Sequence, residues 1–163
     1  MRTDPAPPPF QRLIDEHSRA VAAFLRGMLR GADAEDALQE TYLAALAAYD
    51  RFDGRNPRAW LLVIARRKAI DAVRAERRRP AAVLDPDSLP GPATADPSDG
   101  AVWAEVAALP SKQRHAVLLR FAADLPYREV GFAMGISEAA ARRNVHEAIT
   151  KLRDSTEIEE AYR

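Results

Sequence analysis

The stretch REVGFAMGISEAAARRNVHEA, residues 128–148, holds the side chains best suited to act on another molecule. Two short helical patterns are hinged at Gly135-Ile136-Ser137, and Glu138, Ala139, Arg142, Arg143, His146 and Glu147 face outward from the second. Their chemistry is recognition: an arginine fork donates two parallel hydrogen bonds to guanine or to a phosphate, and the leading half of a recognition helix is where base edges are met. Two helices crossing steeply need a small residue at the contact, a turn residue tolerant of positive φ, and apolar inner faces. Gly131 and Gly135 answer the first two needs. Val130, Met134 and Ile136 supply one inner face, and Ala141, Val145, Ala148, Ile149 and Leu152 the other. Ser137 is placed to cap the second helix. On this stretch alone an αα-hairpin with solvated arginines stays open as an alternative, and the carboxylates of Glu138 and Glu147 would repel phosphates.

Two further constellations could bind. Arg66, Arg67, Lys68, Arg74, Arg77, Arg78 and Arg79 form a dense basic run behind an aromatic-bearing loop, RFDGRNPRAW, with Phe52 and Trp60 at its edges. Cations beside accessible aromatics suit single-stranded or melted nucleic acid, whose backbone is held electrostatically while unstacked bases find a surface. A Trp60 that is simply core is an equal reading of the periodicity. Asp36, Gln39 and Glu40 stand at i, i+3 and i+4, one polar acidic helix face open to a basic protein partner.

Bond chemistry finds no support. His146-Glu147 begins the zinc motif H-E-x-x-H, but position 150 is threonine, and His17 and His115 have no second histidine at ligand spacing. There are no cysteines, hence no thiolate nucleophile, no sulfur-based zinc site and no disulfide framework. No catalytic residue, metal site or cofactor is expected.

The elements that must position these residues are helical. Alanine, leucine and arginine dominate the 163 residues and β-branched runs are scarce. Leu13, Ile14, Val21, Phe24, Leu25, Met28 and Leu29 form one stripe, after which Gly31 with Asp33 closes that helix and caps the next. Ala37, Leu38, Ala45, Leu46 and Tyr49 give the second helix its apolar side, as far as Asp53-Gly54. The third opens at Asn56-Pro57, proline at the first helical position, and carries Trp60, Val63, Ile64, Ile70 and Val73 toward Pro80. Residues 78–100, dense in Pro, Gly, Asp and Ser, have no apolar period and read as a linker. Beyond it, Val102, Trp103, Val106 and Leu109 mark a helix stopped by Pro110, and Ser111 caps another carrying Val117, Leu118 and Phe121. The expected organisation is all-α: a disordered Pro-rich segment 1–9, a helical bundle 10–79, a flexible acidic linker 80–101, a helix-turn-helix domain 102–154 and a frayed acidic tail 155–163.

Net charge is zero, 24 basic against 24 acidic residues, yet it is unevenly laid out. Residues 10–79 carry a net +4, residues 80–100 carry −4 with no base, and residues 101–154 carry +2. Two basic modules are masked by an acidic connector and tail. The start lacks the apolar core of a signal peptide and no stretch approaches a membrane span, so a cytoplasmic protein without membrane insertion is expected.

Taken together these residues resemble a family. DAEDALQETYLAALAAYDRF followed by AWLLVIARRKAIDAVRAERRR is similar to the core-binding and promoter-melting region of bacterial extracytoplasmic-function sigma factors, and LPSKQRHAVLLRFAADLPYREVGFAMGISEAAARRNVHEAITKLR to their promoter-reading C-terminal region. The resemblance implies a subunit that gives RNA polymerase promoter specificity and performs no bond chemistry. Asp36, Gln39 and Glu40 then match the D-x-x-Q-E motif that docks on core polymerase. Phe52, Arg55, Asn56, Trp60, Arg66, Arg67, Lys68, Asp71 and Arg74 match the segment that opens and reads the −10 element. Arg128, Ser137, Glu138, Ala139, Arg142, Arg143 and His146 match positions at the −35 element. Core RNA polymerase, promoter DNA and an anti-sigma factor are the implied partners. Arg67 stands where the family usually has Asn, Ala140-Ala141 replaces Thr-Val, and Glu147 replaces a basic residue. A stand-alone helix-turn-helix regulator is the alternative, and a structural helical scaffold a third reading.

Overall fold

The computed structural model describes residues 7–78 and 99–161, and there it holds seven helices and no strand. Helix α1, Phe10–Met28, follows Pro9 and buries the expected stripe of Leu13, Val21, Phe24, Leu25 and Met28. Helix α2, Gly31–Ala48, begins at a glycine with φ +35°. Asp33 lies in its first turn, where a carboxylate favours the positive end of the helix dipole, and makes no side-chain cap bond. The expectation that Asp33 caps α2 is therefore corrected: the helix starts two residues earlier. A 3₁₀ turn, Tyr49–Arg51, leads to α3, Pro57–Arg78, with proline at its first position as expected.

Most of the expected linker, residues 79–98, lies outside the described residues, as do residues 1–6 of the Pro-rich start. Helix α4, Asp99–Ala108, begins slightly before Val102. Helix α5, Ser111–Val117, has Pro110 at the cap position, so Ser111 is its first helical residue and makes no cap bond. The chain then widens into a π turn, Leu118–Ala122, in which the Ala123 N–H donates to the Leu118 carbonyl at 3.0 Å. Inserting a residue into the helical ladder rotates the side chains beyond it about the helix axis. Phe121, assigned by periodicity to the apolar side, is turned outward and exposed. Helices α6, Tyr127–Met134, and α7, Glu138–Ala161, complete the chain. The acidic tail does not fray at residue 155: the helix continues to Ala161, through Glu, Ile and Ala and without Gly or Pro to stop it.

Helices α1, α2 and α3 pack around Phe24, Leu25, Leu61 and Leu62, and α4 to α7 around Leu119, Leu125, Val130 and Val145. The two halves are not separate bodies joined only by a connector. Helix α6 lies on α3 and the π turn lies on α1, so one apolar core runs through both.

The helix-turn-helix is built as the residue types demand. Gly135 adopts φ +67°, and the Ile136 N–H donates to the Gly131 carbonyl at 2.9 Å. A Cβ on Gly131 would stand 2.8 Å from the Ile136 carbonyl oxygen and 3.2 Å from the Glu138 nitrogen, both backbone atoms. Ser137 Oγ accepts from the Ala140 N–H at 3.1 Å. Gly131→Ala must therefore push the turn away from α6. We expect it to cost about 1–3 kcal/mol in denaturant unfolding, whereas Ala139→Gly, an exposed position in the first turn of α7, should cost less than about 1 kcal/mol.

Candidate nucleic-acid interface

On the outer side of the helix-turn-helix, the Arg142 guanidinium is held at two points. Its Nη2 donates to Glu138 Oε1 at 2.9 Å, and its centre lies 4.4 Å from the centroid of the Tyr127 ring. Arg120 approaches the same ring at 5.2 Å. Arg142 and Glu138 are both exposed, so the pair adds little to stability. What it does is restrict where the fork points. Arg128, Ala139, Arg143 and His146 are exposed on this side, and the Ser137 hydroxyl is engaged in the cap. Sequence reasoning missed Tyr127; its only signal was an aromatic at the first position of α6. Glu147, a source of repulsion on paper, accepts from Gln113 Nε2 at 2.9 Å and ties α7 to α5.

The second constellation divides. Phe52 is buried and stacks at 4.4 Å and 26° on Trp60, with Tyr49 and Phe10 continuing the aromatic row. Phe52 thus supports a half-buried Trp60 and offers no free face of its own. Arg55 and Asn56 are exposed beside it; the Arg55 N–H donates to Asp53 Oδ1 at 2.8 Å, and Asn56 takes φ +46° ahead of α3. At 100° per residue, Trp60, Arg67, Arg74 and Arg78 share one face of α3, and the three arginines are exposed. Lys68 is half-buried. Asp71 lines a groove with Glu76 and with Asp33, Asp36 and Glu40 of α2, over a floor of Ala37, Ala72 and Ala75. Asp71 thus stands at the border between the acidic groove and the arginine face of α3, one turn from Arg67 and from Arg74.

Arg66 points elsewhere. Its Nε donates to Nδ1 of His115 at 3.0 Å, across the seam between the two halves. His115 is buried, and its pKa is pushed down to about 4, first by burial and then by the charges of Arg66 and Arg114. The imidazole is neutral at physiological pH, with Nδ1 as acceptor and the proton on Nε2. Burial, and then Arg58, also lower the pKa of His17.

On α2, Asp36, Gln39 and Glu40 are exposed as expected. Leu43 and Leu46, at 68% and 55% exposure, extend the same face at i+7 and i+10. Periodicity places Leu46 on the apolar inner side; the structure turns it outward, because Ala37, Thr41 and Ala45 form the buried stripe.

Sequence-family profiles cover most of the chain: Sigma-70 region 2 matches residues 13–79 and Sigma-70 region 4 matches residues 99–152. The RNA polymerase sigma factor CarQ of Myxococcus xanthus is 34% identical over 158 residues, covering 93% of this chain and 91% of that protein. The ECF RNA polymerase sigma factor SigX of Bacillus subtilis is 30% identical, with 91% and 84% covered. The chain belongs to the extracytoplasmic-function sigma factors. Among solved structures, CnrH in complex with the cytosolic domain of CnrY is 25% identical with a TM-score of 0.71, covering 91% of this sigma factor and 88% of that chain. The sigma factor RpoE of Bartonella quintana, solved with the anti-sigma factor NepR, shares the fold at 21% identity with a TM-score of 0.79, covering 91% and 97%. This sigma factor confers promoter specificity on RNA polymerase in transcription initiation, and its family is not one of catalysts. Among the described residues no helix is long and apolar enough to cross a membrane.

The buried histidine makes stability pH-dependent. Unfolded, His115 takes its proton near 6.5; folded, it refuses it down to about 4. Its contribution is complete above 6.5 and is lost as pH falls through that interval. The urea midpoint should drop between about pH 7 and about pH 5, and His115→Gln, which carries no titrating group, should flatten that slope.

Proposed function

We propose that three surfaces of this sigma factor divide the work of initiation. The outward face of α2, with Asp36, Gln39, Glu40, Leu43 and Leu46, docks on core polymerase, and the acidic groove holding Asp71 continues it. An acidic rim beside two exposed leucines suits a basic, partly apolar protein surface. Trp60, backed by Phe52, with Arg55, Asn56, Arg67, Lys68 and Arg74, takes the melted −10 strand, and Arg66 joins them once released from His115. Arg142, Arg143 and His146, with Arg128 and the backbone around Ser137 and Ala139, meet the −35 element, and Glu138 holds Arg142 in place. The observation that carries this reading is that five carboxylates line the α2–α3 groove, while Trp60 shares one face of α3 with the exposed Arg67, Arg74 and Arg78, Asp71 marking the border between the two. An anti-sigma factor is the further partner we infer, in keeping with the likeness to CnrH, which was solved bound to the cytosolic domain of CnrY. The site of action is the cytoplasm, with core polymerase.

Transcription by core polymerase from the promoters of its own genome tests the proposal: product should depend on adding this factor, and no gain at any promoter rejects it. Asp36→Arg should cut co-purification with core enzyme at least about tenfold, the effect of some 1.4 kcal/mol, with helicity unchanged by circular dichroism. Arg142→Ala should cost about 1–3 kcal/mol of discrimination at one −35 base pair. Tyr127→Ala should lose part of the same discrimination and Tyr127→Phe should keep it, since the ring alone touches the guanidinium.

A further inference from the structure

We propose that Glu138 is a specificity-determining residue in its own right: with Arg142 it presents a donor–donor–acceptor edge that selects one oriented G·C pair of the −35 element, the guanine on Arg142 and the amino group of its cytosine on Glu138. The inference rests on the −35 reading above and names the base pair that this face selects.

The two side chains stand one turn apart on α7, on the same face of the helix. Glu138 Oε1 accepts from Arg142 Nη2 at 2.9 Å, and the guanidinium lies 4.4 Å from the centroid of the Tyr127 ring. Both partners stay open to a ligand, with side-chain exposures of 59% for Arg142 and 50% for Glu138. A guanidinium has five N–H donors and a carboxylate about four acceptor sites, so their mutual bond leaves most of both unspent. What remains is a donor on Nη1, a second donor on Nη2 and, beside Nη2, a carboxylate that only accepts.

The major-groove edge of a G·C pair carries the complement in the same order: guanine N7 and O6 accept, and cytosine N4 donates. Arginine alone reads N7 and O6. A carboxylate bonded to that fork then meets the next group along the edge, the N4 amino group. In an A·T pair the adenine amino group stands against Nη2 and the thymine O4 against the carboxylate. Reversing the G·C pair sets N4 against Nη1 and N7 against the carboxylate. Each wrong pair therefore opposes a donor to a donor and an acceptor to an acceptor.

Charge separates this edge from a backbone contact. An arginine by itself binds a phosphate as well as a guanine, but a phosphate on Arg142 would lie beside the Glu138 carboxylate and be repelled by it. Glu138 also lies in the first turn of α7, where a carboxylate favours the helix dipole. That role needs no arginine one turn on and no base.

Holoenzyme assembled from the full chain and core polymerase, on a promoter that the factor transcribes, tests the proposal. Each −35 position is exchanged for the other three base pairs, and Arg142→Ala locates the position this arginine reads by flattening its preference. In the parent that position should prefer one oriented G·C pair. Its cytosine is then replaced by pyrimidin-2-one, which is cytosine without the amino group. Parent holoenzyme should bind the altered promoter about tenfold more weakly, the effect of losing a hydrogen bond to a charged group. Glu138→Ala holoenzyme should show little of that loss, and Glu138→Gln, which keeps an acceptor oxygen, should recover part of it. A preference for any other pair at that position, or an equal loss in parent and Glu138→Ala, overturns the proposal and leaves Glu138 as a positioning residue, with the −35 reading intact. If Arg142→Ala flattens no −35 position, the −35 reading itself fails, so the two failures are told apart.

Discussion

Helix α3 is packed by three others, α1, α2 and α6, and the placement of each functional surface follows from that constraint. Its buried positions are Ala59, Leu61, Leu62, Ala65 and Ala69. Three alanines among five let neighbouring helices approach closely, and the two leucines supply the apolar area that makes the approach favourable. One flank then carries the acidic groove shared with α2, another meets His115 and α6, and the remaining face is left to solvent with Trp60 and its arginines. A helix packed on one side only would leave Arg66 and Arg67 equivalent. Here they have different neighbours.

Electrostatics explains how a chain of zero net charge can serve a polyanion. Several carboxylates that would oppose DNA are drawn into internal pairs or line the α2–α3 groove. Glu138 holds Arg142, Glu147 accepts from Gln113, and Asp71 lies with Asp33, Asp36 and Glu40. Exposed ion pairs contribute little stability, so their effect is to orient. On the function proposed above, polymerase shares the task of holding DNA, so that this sigma factor needs few cations for the backbone and its arginines serve discrimination.

The pattern of success and error in reading the sequence has a physical origin. Gly131, Gly135 and Ser137 were legible because a steep turn constrains backbone within a few residues, and those residue types are the ones that satisfy it. Asn56-Pro57 was legible for the same reason. Leu46 and Phe121 were misplaced because periodicity counts apolar residues without knowing the axis of burial: small alanines define the inner stripe of α2, and a π turn shifts the register after Leu118. Phe52 beside Trp60 was a correct pairing, but nothing local says which ring lies underneath.

Helix content, the order of the elements, the helix-turn-helix and the family were all determined by the sequence itself, since each depends on spacing along the chain. Only the tertiary structure decided that the halves share a core, that Tyr127 and Glu138 fix Arg142, and that Arg66 meets His115 forty-nine residues away. Such contacts depend on the angles at which helices cross, and those angles arise from side-chain volumes summed over several helices. No window of sequence contains that sum.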